Sequence, residues 1–231
     1  MPQPYLAPWT PGSHLHAYNR ACDNNLYFRH DRDRHAFLRI MGTKVAPFVD
    51  VLSYNLIPNH WHANLELLTE ARLREVLRKR RRHNAKQRAF LAGTGTYEEV
   101  IAQVFRDFGN SYSSYLRVRY RRRGRLAGQS IRRVRNTDNV FHRAPVAYVL
   151  LNHLKHGVRA ADGEPHPWTS LHQANRPAWV RHDLLVAQSG GEAALRRYLE
   201  VYLRRRGQAF HALDEEQFFG ITLAEPWWEA A

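Results

Sequence analysis

The sequence predicts an α+β sandwich built on an antiparallel sheet, and three observations carry that expectation. Strand and helix signals follow one another as strand–helix–strand–strand–helix–strand–helix. Residues 60–67 alternate polar and apolar side chains without a break, the period of a half-buried strand. Residues 97–120 repeat apolar side chains at helical spacing, through Val100, Ile101, Val104, Phe105 and Phe108.

Element by element, residues 13–20 read as the first strand, with a polar turn at 23–25. Asp31 or Asp33 is positioned to cap a helix over 34–43, whose apolar side is Phe37, Leu38 and Met41. Residues 48–56 form a β-rich run, and Pro58 with Asn59 makes the turn into the strand at 60–67. Two helices are expected at 73–90 and 97–120, then a strand at 129–134. Asp138 or Asn139 would cap a helix over 140–156, which Gly157 ends. Helices at 181–187 and 192–206 make a C-terminal extension packed on the core. The division is thus a Pro-rich N-terminal tail at 1–12, a main domain at 13–170 and a helical extension at 171–231. No repeat or low-complexity linker interrupts it, and the acidic stretch 214–216 and the terminal PWWEAA do not identify themselves.

Composition narrows the function. With 231 residues and 44% hydrophobic side chains, the chain is long enough to bury a sizeable core. No window approaches the roughly 18 uninterrupted apolar residues of a membrane span, and residues 1–12 lack the features of a signal peptide. Cys22 is the only cysteine, which excludes an intramolecular disulfide and a cysteine-based zinc site. The expectation is a cytoplasmic protein with no membrane partner, nucleoid-associated when bound to DNA. The net charge is +14, and all but four of the 35 basic residues are arginine. Residues 72–88 hold nine cations against Glu75 alone, and residues 117–135 hold nine arginines and no acid. Arginine's planar fork binds phosphate bidentately, and two such runs repel each other unless a polyanion lies between them. Codon bias or a solvated helix face is the plainer explanation of any one run. Arg20, Arg78, Lys79, Arg81, Arg121, Arg122, Arg132, Arg133 and Lys155 are the candidate DNA contacts.

The chemistry concentrates at PNHWHANLELL, residues 58–68. On a strand, His60, His62, Asn64 and Glu66 share one face, while Trp61, Ala63, Leu65 and Leu67 share the other. Two imidazoles at i and i+2 can chelate one divalent ion and leave positions open for another ligand and substrate oxygens. Glu66 lies about 13 Å along the strand from His62, too far to join that ion. In a chain with 14 histidines such a pair also arises by chance, and His14 with His16 forms a second one. Within the helix at 140–156, Tyr148 and Asn152 are four apart and therefore share a face. Tyr148 is a candidate nucleophile, and Asn152 an oxygen ligand that is otherwise an odd choice in mid-helix.

Taken together, these pieces resemble the single-tyrosine HUH transposases, and more closely their relatives associated with repetitive extragenic palindromes. The resemblance runs in order over residues 13–170: HAYNRACDNNLYF at 16–28, DRDRHAFL at 31–38, LSYNLIPNHWHANLEL at 52–67, YVLLNHLKHGV at 148–158 and PWTS at 167–170. His153 stands where the family often has proline, and Ala127 and Ser130 stand where it has an aromatic and a basic residue. Lys155 and His156 match basic positions beside the family's tyrosine helix. The resemblance implies a ferredoxin-like antiparallel sheet with flanking helices and the paired histidines on a central strand. It implies Mg²⁺ or Mn²⁺ held by His60, His62 and Asn152, and attack by Tyr148 on a phosphodiester of single-stranded or hairpin DNA. The product would be a 5′-phosphotyrosyl intermediate and a free 3′-OH, resolved by strand transfer in DNA transposition or in the handling of palindromic repeats. It gives His16 a structural role only. Two other readings stand beside it: a non-catalytic nucleic-acid-binding protein that keeps the fold, and a metal hydrolase whose nucleophile is water. Monomer and homodimer are both open.

Overall fold

The alternating stretch becomes one of the two inner strands of a four-stranded sheet. In the computed structural model, which describes residues 6–22, 26–127, 130–136, 143–158 and 166–206, the strands are β1 (His14–Arg20), β2 (Val49–Ile57), β3 (His60–Leu67) and β4 (Arg132–Arg135). Their order is β2-β3-β1-β4 and every pairing is antiparallel. The helix α1 (Asp31–Lys44) crosses between β1 and β2, and α4 (Tyr97–Tyr120) leads to β4. The predicted antiparallel sheet with flanking helices is therefore the architecture of the chain. The turn expected at 23–25, the caps at Asp138 or Asn139 and the acidic stretch 214–216 lie outside the described residues, as does the PWWEAA end.

Side-chain alternation gives the sheet two unlike faces. Trp61, Ala63, Leu65 and Leu67 of β3 and Leu15 and Ala17 of β1 join Phe37 and Met41 of α1 and Phe105, Phe108 and Tyr112 of α4 in one large apolar core. Each large side chain buried there contributes about 1.5–3 kcal/mol before its ordering is counted. On the other face, Tyr18, Leu52 and Val134 meet Val146, Leu150 and Leu151 of α5 (Arg143–Lys155). Helix α6 (His182–Gln188) packs on β2 and α7 (Glu192–Arg206) on α5, and the two add Leu185, Leu195, Leu199 and Tyr202 to this second core. The C-terminal helices are part of the wall that closes the second face.

Three local expectations need correction. The helix of residues 31–44 starts three residues before position 34, with His30 at the cap position; Asp33 lies inside the first turn and accepts backbone N–H bonds from Arg29 and His30. The helix expected over 73–90 is two helices, α2 (Glu70–Arg78) and α3 (Ala85–Leu91). The physical reason is Asn84, whose side chain accepts from the Gln87 N–H while Gln87 accepts from the Asn84 N–H, a capping box that starts a new helix. The strand expected at 129–134 runs over Arg132–Arg135. Helix α4 matches its expected bounds; Thr96 and Glu99 cap its start, and Arg121 ends it in the left-handed region at φ 49°. Gly157, at φ +63°, follows α5 where only glycine adopts that turn without strain. The N-terminal stretch is tied in as well: Leu6 bridges to Arg133, and Trp9 is buried against Phe105. Among the described residues no helix is long and apolar enough to cross a membrane.

Candidate active site

The second face of β3 is where polar chemistry is buried. His60, His62 and Asn64 all point toward α5 and are at most 2% exposed. Helix α5 sits over them because the sheet's amides hold its backbone. Asn55 of β2 donates through Nδ2 to the Leu150 carbonyl at 3.1 Å and to His153 Nδ1 at 3.0 Å. Thr169 Oγ1 donates to the same Leu150 carbonyl at 3.0 Å, and Asn64 Nδ2 reaches the Pro145 carbonyl at 3.4 Å. His166 Nε2 reaches the Leu56 carbonyl at 3.1 Å, which fixes the segment carrying Thr169 to β2. A helix apolar from Val146 to Leu151 is thereby oriented by polar contacts at defined positions.

That orientation brings the four predicted residues together. Asn152 Oδ1 stands 3.2 Å from His60 Nε2. The imidazoles of His60 and His62 are 4.8 Å apart between centroids, and the ring of Tyr148 stands edge-on to His62 at 5.4 Å. Tyr148, His62 and Asn152 have no exposed surface. Two residues outside the predicted four complete the cluster. His16 Nε2 lies 2.8 Å from His62 Nδ1, and Tyr18 stacks on His62 at 5.5 Å. The signal for both is the pairing of β1 with β3, which sets Tyr18 opposite His62 and His16 opposite Asn64.

Burial keeps these imidazoles neutral. It pushes His60 and His62 well below the ordinary histidine value, helped at His60 by His156 and Arg20 and at His62 by His60 and His16. His16 is pushed down to about 3 by burial, and His156 to about 4 by burial and then by Lys155 and Arg20. A neutral imidazole has one N–H. In His60 it belongs to Nδ1, which faces Asn59 Oδ1 at 2.7 Å, so the Nε2 lone pair faces the Asn152 oxygen. Two acceptors pointed at each other in a buried place are unfavourable unless a cation lies against both or the Asn152 amide turns over. The Asn152 Nδ2 is buried with no hydrogen-bond partner among the described residues. In His62, a proton on Nδ1 shared with His16 leaves Nε2 as the second lone pair. Among the described residues no group of three or more His, Cys, Asp or Glu is arranged to hold a metal. The donor set that fits a divalent ion is instead two imidazole nitrogens and one amide oxygen, each histidine held from behind through its other nitrogen.

The candidate DNA contacts divide into groups. Arg20, exposed at the end of β1, pairs in register with His60, and Lys155 places its Nζ 5.4 Å from the Tyr148 ring centroid. Arg132 shares its face of β4 with Val134 and so belongs to the histidine side of the sheet. Arg133 points the other way, bonds through Nε to the Ala7 carbonyl and lies over Trp9 at 4.5 Å. Arg78, Lys79 and Arg81 are exposed at and beyond the end of α2, where Lys79 pairs with Glu75. Arg121 and Arg122 follow α4, and Arg122 donates to the Arg125 carbonyl.

No protein-family model matches the sequence, and no curated protein matches it. Among solved structures, a REP-associated tyrosine transposase bound to a REP hairpin is similar at 12% sequence identity and a TM-score of 0.49, over 75% of this chain and 84% of that one.

Proposed function

We propose that this chain is a metal-dependent tyrosine endonuclease and strand transferase acting on single-stranded or hairpin DNA. The observation that carries the reading is the buried convergence of His60, His62 and Asn152 beneath a helix that also presents Tyr148. His60 Nε2, His62 Nε2 and Asn152 Oδ1 would hold Mg²⁺ or Mn²⁺, which when bound supplies Lewis-acid polarisation of a phosphodiester oxygen. The Tyr148 hydroxyl gives up its proton and its oxygen forms a bond to phosphorus, while the P–O3′ bond breaks. The strand is left with a 3′-OH and the protein with a 5′-phosphotyrosyl ester. Return of the 3′-OH, or of another strand's, reverses the step without any external energy source. Arg20 and Lys155 place positive charge beside the site for the strand's phosphates. Asn55, Asn64 and Thr169 act as positioning residues, since they fix the helix on which Tyr148 and Asn152 stand.

A second reading draws on a specific observation. Tyr148 is fully enclosed, so a strand reaches it only when α5 shifts on the sheet; a chain in which it never shifts would bind DNA without cutting it. Labelled hairpin DNA with Mg²⁺ or Mn²⁺ on a denaturing gel separates the two. Cleavage chemistry predicts an adduct that survives denaturation in wild type and is absent from Tyr148→Phe and His62→Ala. Cleavage without an adduct that persists in Tyr148→Phe assigns the nucleophile to water. Binding with no cleavage under either metal assigns the chain to the binding reading.

A further inference from the structure

The opposite face of the sheet carries a cavity of about 520 Å³ that the cleavage chemistry does not use. Its inner wall is aromatic, with Trp61 and Phe108 almost fully buried. Its rim is cationic on balance, with Arg106, Arg117 and Arg125 exposed around it and Glu98 the one carboxylate among the lining residues. Arg117 and Arg125 take part in no ion pair described in the structure. Asn19, whose Oδ1 accepts from the Arg20 N–H at 2.8 Å, also lines the cavity and carries an amide of the kind that reads the edges of bases. The volume lies within the range of small-ligand sites, and aromatic walls beneath a cationic rim suit a flat heterocycle that carries a phosphate.

The location indicates which heterocycle. Asn19 and Arg20 are consecutive on β1, and Trp61 and His60 are consecutive on β3, paired as Asn19 with Trp61 and Arg20 with His60. Alternation sends Arg20 and His60 to the histidine face and Asn19 and Trp61 to the cavity. The two sites therefore stand back to back at the same end of the same two strands, and one polynucleotide folded over that end reaches both. We propose that this cavity receives one unstacked nucleobase of single-stranded DNA, with the flanking phosphates on Arg106, Arg117 and Arg125. The proposal takes its choice of polymer from the cleavage reading, while the chemistry it assigns, a base with its phosphate, belongs also to a free nucleotide.

The test exploits Gly109 of α4, which lines the cavity and whose added Cβ would meet nothing within 4 Å. Leucine there projects into the open space and is a better helix former than glycine, so Gly109→Leu is expected to occupy part of the cavity and to leave the fold intact. Binding of fluorescein-labelled oligo-dA, oligo-dT and an abasic strand is followed by anisotropy, with dAMP as competitor and thermal unfolding as the control for folding. Wild type is expected to bind the base-bearing strands roughly tenfold more tightly than the abasic one, and Gly109→Leu to erase that preference. Arg117→Ala, a substitution on the exposed rim, is expected to weaken every strand alike and to lower the salt slope by about one. Competition by dAMP shows that the base and phosphate suffice without the polymer; its absence shows that the chain of nucleotides is required. Equal affinity for intact and abasic strands in wild type, or a Gly109→Leu protein that still distinguishes them, overturns the proposal. Adduct formation through Tyr148, measured in parallel at saturating strand, keeps the two ideas apart. Adducts with no base preference leave the cleavage reading standing and the cavity without a role, and a Gly109-dependent base preference without adducts does the reverse.

Discussion

Replacing Asp33 tests how the framework around the cavity is held. Its carboxylate is fully buried and accepts four donors. Tyr120 Oη lies 2.9 and 2.8 Å from its two oxygens, Tyr115 Oη is 3.0 Å from Oδ1, and the Arg29 and His30 N–H groups are 2.9 and 3.1 Å from Oδ2. Hydrogen bonds to a charged acceptor each contribute about 1.5–3 kcal/mol and add less than linearly when they share one group. The two tyrosines are not fully buried and recover part of their bonding from water. Asp33→Ala is therefore expected to lose about 3–4 kcal/mol, and Asp33→Asn, which keeps one acceptor and turns an NH₂ toward the remaining donors, about 2 kcal/mol. At a urea slope of about 2–3 kcal/mol/M, the alanine variant should unfold at a midpoint lower by about 1–2 M. The acid side supplies an independent check. Burial by itself raises this carboxyl, and the bonds from Tyr120, the Arg29 and His30 amides and Tyr115 outweigh it, so the folded value lies below the ordinary one. A depressed folded value means a contribution fully present above the unfolded value, about 4, and lost as pH falls through the folded one. Wild type should lose stability over that window and Asp33→Asn should lose less. Equal midpoints at neutral pH together with equal acid slopes would refute the assignment of a charged, bonded carboxylate joining the start of α1 to the arginine-rich end of α4.

Three further outcomes follow from named contacts. Asn55→Ala removes the amide that holds Leu150 and His153, so it should lower stability by about 1–3 kcal/mol in denaturant titration and reduce adduct yield while strand affinity stays near wild type. His16→Ala removes the group behind His62 and should weaken Mn²⁺ binding roughly tenfold to a hundredfold by calorimetry, with His16→Gln recovering part of it; unchanged affinity would deny His16 a role in orienting His62. Gly42→Ala sets a methyl group against the Trp179 indole in α1's packing, and a loss of about 1–3 kcal/mol in thermal unfolding is expected.

Much of the site could be read from local sequence because its parts repeat at the periods of the elements that carry them. His60 and His62 share a face through the two-residue period of a strand, and Tyr148 and Asn152 through the four-residue neighbourhood of a helix. His16 could not be separated from His14 in this way, because the two stand two residues apart on the same strand and form an i, i+2 pair of their own. Only the register of β1 against β3 places one beside His62 and the other beside Glu66 at the edge. The division of residues 70–91 into two helices was present locally, in the spacing of Asn84 and Gln87, but a run of helix-favouring arginines hides a cap of this kind. The burial of the polar face was not legible at all. It depends on α5, some ninety residues further along, packing over β3, with α7 on α5 and α6 on β2 completing the second core.

That closure explains why a strand so polar on one side can be central to a stable fold. Covering a sheet face with a helix is costly for each buried polar atom left without a partner. Here α5's own carbonyls accept from the Nδ2 groups of Asn55 and Asn64, and neighbouring imidazoles or amides face His60 and His62, while Asn55 Oδ1, Asn64 Oδ1 and Asn152 Nδ2 have no hydrogen-bond partner among the described residues. The same bonds make the arrangement specific. A one-residue slip of β3 would put Trp61 beneath α5 and the histidines in the apolar core, stranding both amides and imidazoles. The contacts that orient Asn152 and Tyr148 thus agree with the register that the apolar core sets from the other face, so a variant that loosens α5 is expected to affect chemistry before it affects the fold. The apolar core on the opposite face, with Phe37, Trp61 and Phe108 packed together, holds β3 in place irrespective of what α5 does. On the proposed cleavage reading, α5 would have to shift against its amide and imidazole contacts, over a sheet anchored from behind by aromatic packing, for a strand to reach Tyr148.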